Sequence, residues 1–139
     1  MKASIVIANF NNAKFINECI SSLNSQTYKN IEIIFFDDNS KDNSIELVKN
    51  FNNVKIIENK KQTDYGSLNQ MNAFKQSIDF STGDIIFFLD SDDYFHEEKI
   101  ANVVKEFEKN NNLKILFDLP IIKTDRGEKI PKRQFFNNT

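Results

Sequence analysis

Five consecutive apolar residues, Ile85-Ile86-Phe87-Phe88-Leu89, run straight into Asp90-Ser91-Asp92-Asp93. An apolar run of that length after Gly83-Asp84 reads as a buried strand of a parallel sheet with acids at its carboxyl end. In open α/β sheets that end is where ligands bind. Three clustered carboxylates repel one another and are costly to hold near a core unless a cation joins them. Oxygen-only ligands suit Mg²⁺ or Mn²⁺, ions that commonly serve to bind phosphate groups. An acidic turn capping the next helix accounts for the same residues, because Asp and Ser are favoured there. Taken alone, the stretch leaves both explanations open.

The rest of the chain alternates strand-like and helix-like segments. Residues 3–8, 31–36 and 54–58 read as strands that precede the acidic one. Between them, a helix from about Asn12 carries Phe15, Ile16, Cys19, Ile20 and Leu23 on one face. Ser40-Lys41-Asp42-Asn43 supplies caps for a short helix bearing Ile45, Val48 and Phe51. Leu68, Met71, Phe74 and Ile78 mark the inward stripe of a helix from Ser67 to Phe80. A last helix begins near Glu97, with Ile100, Val103, Val104 and Phe107 buried. Beyond Asn110-Asn111-Asn112, residues 113–118 and 120–124 read as extended, and Asp125-Arg126-Gly127 as a hairpin turn. This order predicts one α/β domain over residues 1–139, a Rossmann-like, doubly wound, mainly parallel sheet flanked by helices.

Composition narrows the function. A net charge of -2 gives no sign of a nucleic-acid surface. The basic residues Lys123, Arg126, Lys129, Lys132 and Arg133 read as a solvated face. A single cysteine, Cys19, excludes an internal disulfide and fits a reducing compartment; its place in an apolar stripe makes it a core residue. The amino terminus does not read as a signal peptide, and no apolar stretch is long enough to span a bilayer. The three glycines form neither a G-x-G-x-x-G nor a Walker pattern, so phosphate is expected to be held through a metal.

Four segments in order carry a family resemblance. They are Ser4-Ile5-Val6-Ile7 leading to Asn11; Gln26-Thr27-Tyr28-Lys29-Asn30-Ile31-Glu32-Ile33; Asp37-Asp38-Asn39-Ser40-Lys41-Asp42-Asn43-Ser44; and Thr82-Gly83-Asp84 through Leu89-Asp90-Ser91-Asp92-Asp93. Together they resemble a family 2 glycosyltransferase, a nucleotide-sugar-dependent enzyme with the GT-A fold, over residues 3 to about 127. The resemblance implies that Ala8 and Phe10 lie against the nucleotide base and ribose. It makes Asp38 the acceptor for a base N–H, commonly of uracil, a role suited to a carboxylate. It assigns Asp90-Ser91-Asp92 to the family's D-x-D motif, with Asp90 and Ser91 on the nucleotide side and Asp92 and Asp93 at the Mn²⁺ or Mg²⁺ ion. Asp37 reads as a structural acid that orients its turn.

The same resemblance implies a UDP-sugar donor and a saccharide or glycolipid acceptor. The product would be a cell-surface polysaccharide or glycolipid sugar chain, made by an inverting transfer in the cytoplasm or at the membrane's inner face. The acceptor-binding half and the general base are expected to lie outside these residues, which makes a truncated nucleotide-binding or interaction module the alternative. Three departures stand out. Ala8-Asn9-Phe10 replaces a Thr or Pro followed by Tyr, and Lys75 and Ser77 replace Asn and Gly in a stretch where Gln70 and Ala73 agree. His96, the only histidine, reads as an exposed cap. A haloacid-dehalogenase-type phosphatase also uses D-x-D, but it needs Thr or Val where this chain has Tyr94. A signalling receiver domain needs an acid pair after its first strand, where Ile7-Ala8-Asn9 supplies none.

Overall fold

Residues 1–60, 63–124 and 127–129 are described by the structure, a computed structural model. Strands β1 (Ala3–Asn9), β2 (Ile31–Asp37), β3 (Val54–Glu58) and β4 (Ile85–Asp90) form a parallel sheet in the order β3-β2-β1-β4. The intervening segments hold α1 (Ala13–Asn24), α2 (Ser44–Val48) and α3 (Gly66–Asp79), and α4 (Lys99–Lys109) follows β4. No described helix is long and apolar enough to cross a membrane.

Side-chain alternation along the strands sorts the core into two faces. Ile5 and Ile7, with Ile33, Phe35, Phe87 and Leu89, meet Ile16, Cys19, Ile20 and Leu23 of α1. Val48 of α2 and Ile100 and Val104 of α4 complete that layer. On the other face Val6, Ile34 and Phe36 are also buried, and α3 packs on β1 and β2. Helices therefore cover both faces of a parallel sheet, the doubly wound arrangement expected.

Two expectations about orientation change. The apolar run of β4 is not buried on both faces, because the strand order among the described residues leaves β4 at an edge: Ile85, Phe87 and Leu89 are buried, whereas Phe88 is 51% exposed. Helix α3 is turned from its expected phase. Ala73 and Ser77 are its buried residues, while Leu68, Met71 and Ile78 are exposed. Small residues let the helix approach the sheet closely, and of the expected stripe Phe74 packs on Phe88, ring centroids 4.8 Å apart.

The chain divides into two compact units, Met1–Lys109 and Asn110–Thr139. In the second, β5 (Ile122–Thr124) pairs antiparallel with β6 (Gly127–Lys129). Residues 113–121 form no regular strand, and Phe117 and Ile115 are exposed, so the expected strand at 113–118 has no ladder partner among the described residues. Lys123 and Lys129 are exposed; Asp125, Arg126, Lys132 and Arg133 lie outside the described residues.

One network closes the amino edge of the sheet. Glu32 on β2 accepts hydrogen bonds from Lys2 Nζ (2.8 Å), Ser4 Oγ (2.5 Å) and the Thr82 backbone N–H (2.6 Å). Ser4 Oγ in turn accepts from the Gly83 N–H at 2.9 Å, and Asp84 accepts from the Lys2 N–H at 2.7 Å. Burial alone would raise the Glu32 pKa; the bonds from Lys2, Ser4 and Thr82 outweigh it and hold the carboxyl at about 2, against an ordinary 4.5. Two consequences are testable. A Cβ at Gly83 would lie 2.6 Å from Ser4 Oγ and 2.7 Å from the Ser4 backbone N. Gly83→Ala is therefore expected to cost about 1–3 kcal/mol in urea unfolding; wild-type stability would show that the edge yields freely. Because the folded pKa is depressed, the Glu32 contribution is complete above pH 4.5 and is lost as the pH falls towards 2. Glu32→Gln should flatten the melting temperature across that window.

Candidate functional site

Parallel pairing brings the carboxyl ends of the strands to one edge. Ala8 is opposite both Phe36 and Asp90, and Asn9 is opposite Asp37. The chain then turns through Asn11 (φ 54°) and Asn39 (φ 59°), left-handed positions that Asn tolerates better than most residues. The two turns lock together. Asn9 Nδ2 donates to Asp37 Oδ1 at 2.7 Å, Asn11 N donates to Ser40 Oγ at 2.9 Å, and Lys41 N donates to Asn11 Oδ1 at 2.7 Å. Asp37 also accepts from Ser40 N (2.9 Å) and Ser40 Oγ (2.6 Å), so its carboxylate is spent on the turn. Asp42 reaches across to cap α1, accepting from Ala13 N at 2.9 Å. These loops are rigid because their side chains substitute for missing backbone partners.

Over this edge opens a cavity of about 480 Å³, within the range of small-molecule sites. Ala8, Phe10, Asp38, Asp90 and Asp92 all line it. Ser91 and Asp93 do not. Ser91 is buried beneath the acidic turn, its Oγ accepting from Asn12 Nδ2 at 3.0 Å and its N–H bonded to Ala8 O at 3.1 Å. Asp93 closes the turn through its N–H to Asp90 O at 3.0 Å. Phe10, 49% exposed, lines the cavity with its aromatic ring, as does Asp38. Asp38 is buried and accepts from Asn59 Nδ2 at 2.7 Å. Asp64, Asn69 and Gln70 join the lining from the loop before α3 and its first turn. Sequence reasoning missed Asp64, which belongs to no motif and lies in a polar loop.

Charge on the described lining is one-sided. Its described lining holds Asp38, Asp64, Asp90 and Asp92 and neither Lys nor Arg. The Asp93 pKa is raised by burial and then by Asp92 and Asp90, the signature of carboxylates crowded together. Below the turn, burial and the same acids push the Cys19 thiol up to about 12, so it is an inert core group. Asn9 Oδ1, on the lining residue Asn9, is buried with no hydrogen-bond partner among the described residues. A ligand donor would relieve that cost. No cluster of three or more His, Cys, Asp or Glu side chains forms a ready metal cage among the described residues. The donor set still fits Mg²⁺ or Mn²⁺, since such ions are commonly held by one or two carboxylates with the remaining positions filled by phosphate and water.

The Gln26-Thr27 pair acts at a distance from the cavity. The buried Gln26 side chain donates to His96 O (2.8 Å) and accepts from Ile100 N (3.1 Å), and Thr27 N donates to Glu97 O at 2.8 Å. They tie the segment after the acidic turn to the end of α1. His96 is exposed, as expected of a residue at the helix approach.

The model of glycosyl transferase family 2 matches residues 4–139. The chain belongs to this family. It is 38% identical over 101 residues to the UDP-Glc:alpha-D-GlcNAc-diphosphoundecaprenol beta-1,3-glucosyltransferase WfaP of Escherichia coli, a match over 73% of this chain and 39% of that protein. The crystal structure of Staphylococcus aureus TarS 1–349 with UDP-GlcNAc superposes with a TM-score of 0.69 at 25% identity, over 80% of this chain and 32% of that one. A mannosyltransferase from Pyrobaculum calidifontis, solved with GDP-Man and Mn²⁺, shares the fold at 19% identity with a TM-score of 0.68, over 76% of this chain and 32% of that one. The chain thus spans well under half the length of these relatives. Family membership and the parallel GT-A sheet set aside the phosphatase and receiver-domain readings.

Burial, and then the charges of Asp92 and Asp90, disfavour the ionised form of Asp93. Asp93→Asn removes one charge from a group whose ionised form the fold disfavours, and it is expected to raise the melting temperature at pH 7 without added metal. An unchanged or lower melting temperature would show that the three acids do not strain the turn.

Proposed function

We propose that this chain binds the nucleotide-sugar donor of an inverting glycosyltransferase that builds a cell-surface polysaccharide or lipid-linked sugar chain. The observation that carries the reading is the cavity itself. A buried carboxylate, Asp38, lines one part of it and the Asp90-Ser91-Asp92 turn another, with no described basic side chain in the lining. Nucleotide sugars offer complementary groups: donor N–H and O–H atoms on base and ribose, and a diphosphate that demands a cation. In this reading Ala8 and the Phe10 ring flank the base, and Asp38 accepts its ring N–H. Asp90 accepts from the ribose hydroxyls, and Ser91 holds the turn through Asn12. Asp92 would hold Mn²⁺ or Mg²⁺, whose charge would offset that developing on the departing diphosphate, while Asp93, off the cavity lining, closes the turn behind it. The family's D-x-D motif falls on Asp90-Ser91-Asp92 in this assignment.

UDP is the favoured nucleotide because WfaP is named for UDP-Glc and TarS was solved with UDP-GlcNAc. The lipid-linked acceptor in WfaP's name supports an acceptor of that class, handled in the cytoplasm at the membrane's inner face. Transfer itself needs a base within hydrogen-bond reach of the acceptor hydroxyl.

Calorimetric titration with UDP, with and without Mn²⁺, tests the donor reading. Binding should require the metal, and Asp92→Asn should weaken it by about tenfold or more. Asp38→Asn, which replaces one of the acceptor oxygens by a donor amide, should weaken UDP with the metal dependence intact. Failure of a folded chain to bind UDP, GDP, CDP or dTDP in the presence of Mn²⁺ would overturn the proposal.

A further inference from the structure

Gln70 Nε2 donates to Asp90 Oδ1 at 2.7 Å, across 20 residues of sequence and from helix α3 to the end of β4. Both residues line the cavity. From this contact we infer that Gln70 is a positioning residue of the donor site: it fixes the Asp90 carboxylate for the ribose hydroxyls. The inference rests on the donor reading above and adds a residue that reading does not use.

Three observations support it. First, Gln70 stands on a seated element. It lies one turn before Ala73 and two before Ser77, the residues by which α3 is buried. The approach to the helix is clipped as well, since Thr63 N donates to Asn69 Oδ1 and Asn69 Nδ2 to Thr63 O, each at 2.9 Å. An amide carried on such a helix holds its partner in one place. Second, Asp90 is engaged on one oxygen only: Oδ1 takes Gln70, and Oδ2 has no hydrogen bond among the described residues. A carboxylate fixed by one donor keeps acceptor capacity for a ligand. Third, the chemistry of the partner suits the place. An amide donates without adding charge, whereas Lys or Arg would pair with Asp90 and compete with a cation for the acidic turn. Asn59 also donates a side-chain amide to a lining acid, Asp38, at 2.7 Å.

A merely structural contact makes a different prediction. Gln70 is exposed, so its loss should cost little stability. The test is titration of the 139-residue chain with UDP and with 2′,3′-dideoxy-UDP in the presence of Mn²⁺. The variants are Gln70→Met, which keeps length and loses the donor, Gln70→Ala, and Gln76→Met as the same change on the exposed side of α3. Wild type and Gln76→Met should prefer UDP by about tenfold, the worth of hydrogen bonds to a charged group. Gln70→Met and Gln70→Ala should weaken UDP by about tenfold and leave the dideoxy nucleotide within about twofold, so that the preference disappears while the melting temperature holds. If wild type binds UDP and the Gln70 variants keep its affinity and preference, this inference alone falls. It falls equally if they weaken both nucleotides alike with a lowered melting temperature. If wild type binds no nucleotide, the donor reading falls and takes this inference with it.

Discussion

The register between β1 and β4 is the constraint on which the rest of the site depends. Because side chains alternate, a slip of one residue would turn Asp90 to the opposite face of the sheet. The pairing of Ala3 with Ile85 at one end and Ala8 with Asp90 at the other is therefore what sets the acidic turn beside the loop after β1. The register is held from the far end. Glu32 binds the Thr82 N–H and Ser4 binds the Gly83 N–H, and Gly83 approaches the Ser4 backbone so closely that no side chain fits. Motif residues at the amino edge thus act on a cavity at the carboxyl edge, through strands too stiff to absorb a shift.

At the carboxyl edge the problem is electrostatic. Three acids share one turn, and burial, then the charges of Asp92 and Asp90, raise the Asp93 pKa. Asp90 takes the Gln70 amide, and Asp37 takes the Asn9 amide and the Ser40 hydroxyl. Neutral donors orient a carboxylate and leave its charge for a ligand, where a lysine would cancel it.

Much of this was legible in the sequence. The β1, β2, β3 and β4 runs, the buried stripe of α1 at Ile16, Cys19, Ile20 and Leu23, and the edge at which the acids gather follow from periodicity and parallel topology. Periodicity failed at α3, where the apolar spacing pointed to Met71 and Ile78 but Ala73 and Ser77 face the sheet. Close approach selects small residues there, a tertiary demand that hydrophobic spacing does not register. The β4 run misled similarly, since apolar residues on both faces do not reveal which strand is at an edge. Asp64 and the Gln70–Asp90 contact were hidden for another reason: each depends on where α3 is placed over the sheet, which local patterns do not encode.

Placing these terms together explains why the two edges differ in kind. The carboxyl edge collects features that cost stability: crowded acids, the buried and unpartnered Asn9 Oδ1, and Asn11 and Asn39 held in left-handed backbone. At the amino edge, Glu32 satisfies Lys2, Ser4 and Thr82 at once and its carboxyl is stabilised in its charged form. The core between them is continuous, with Ile5, Ile7, Ile33 and Phe35 buried against α1. The features that cost stability thus gather at the carboxyl edge, away from the best-satisfied hydrogen bonds. Strong hydrogen bonding at one end and apolar packing in the middle let the strained end persist, because a stiff parallel sheet shares the load between its edges.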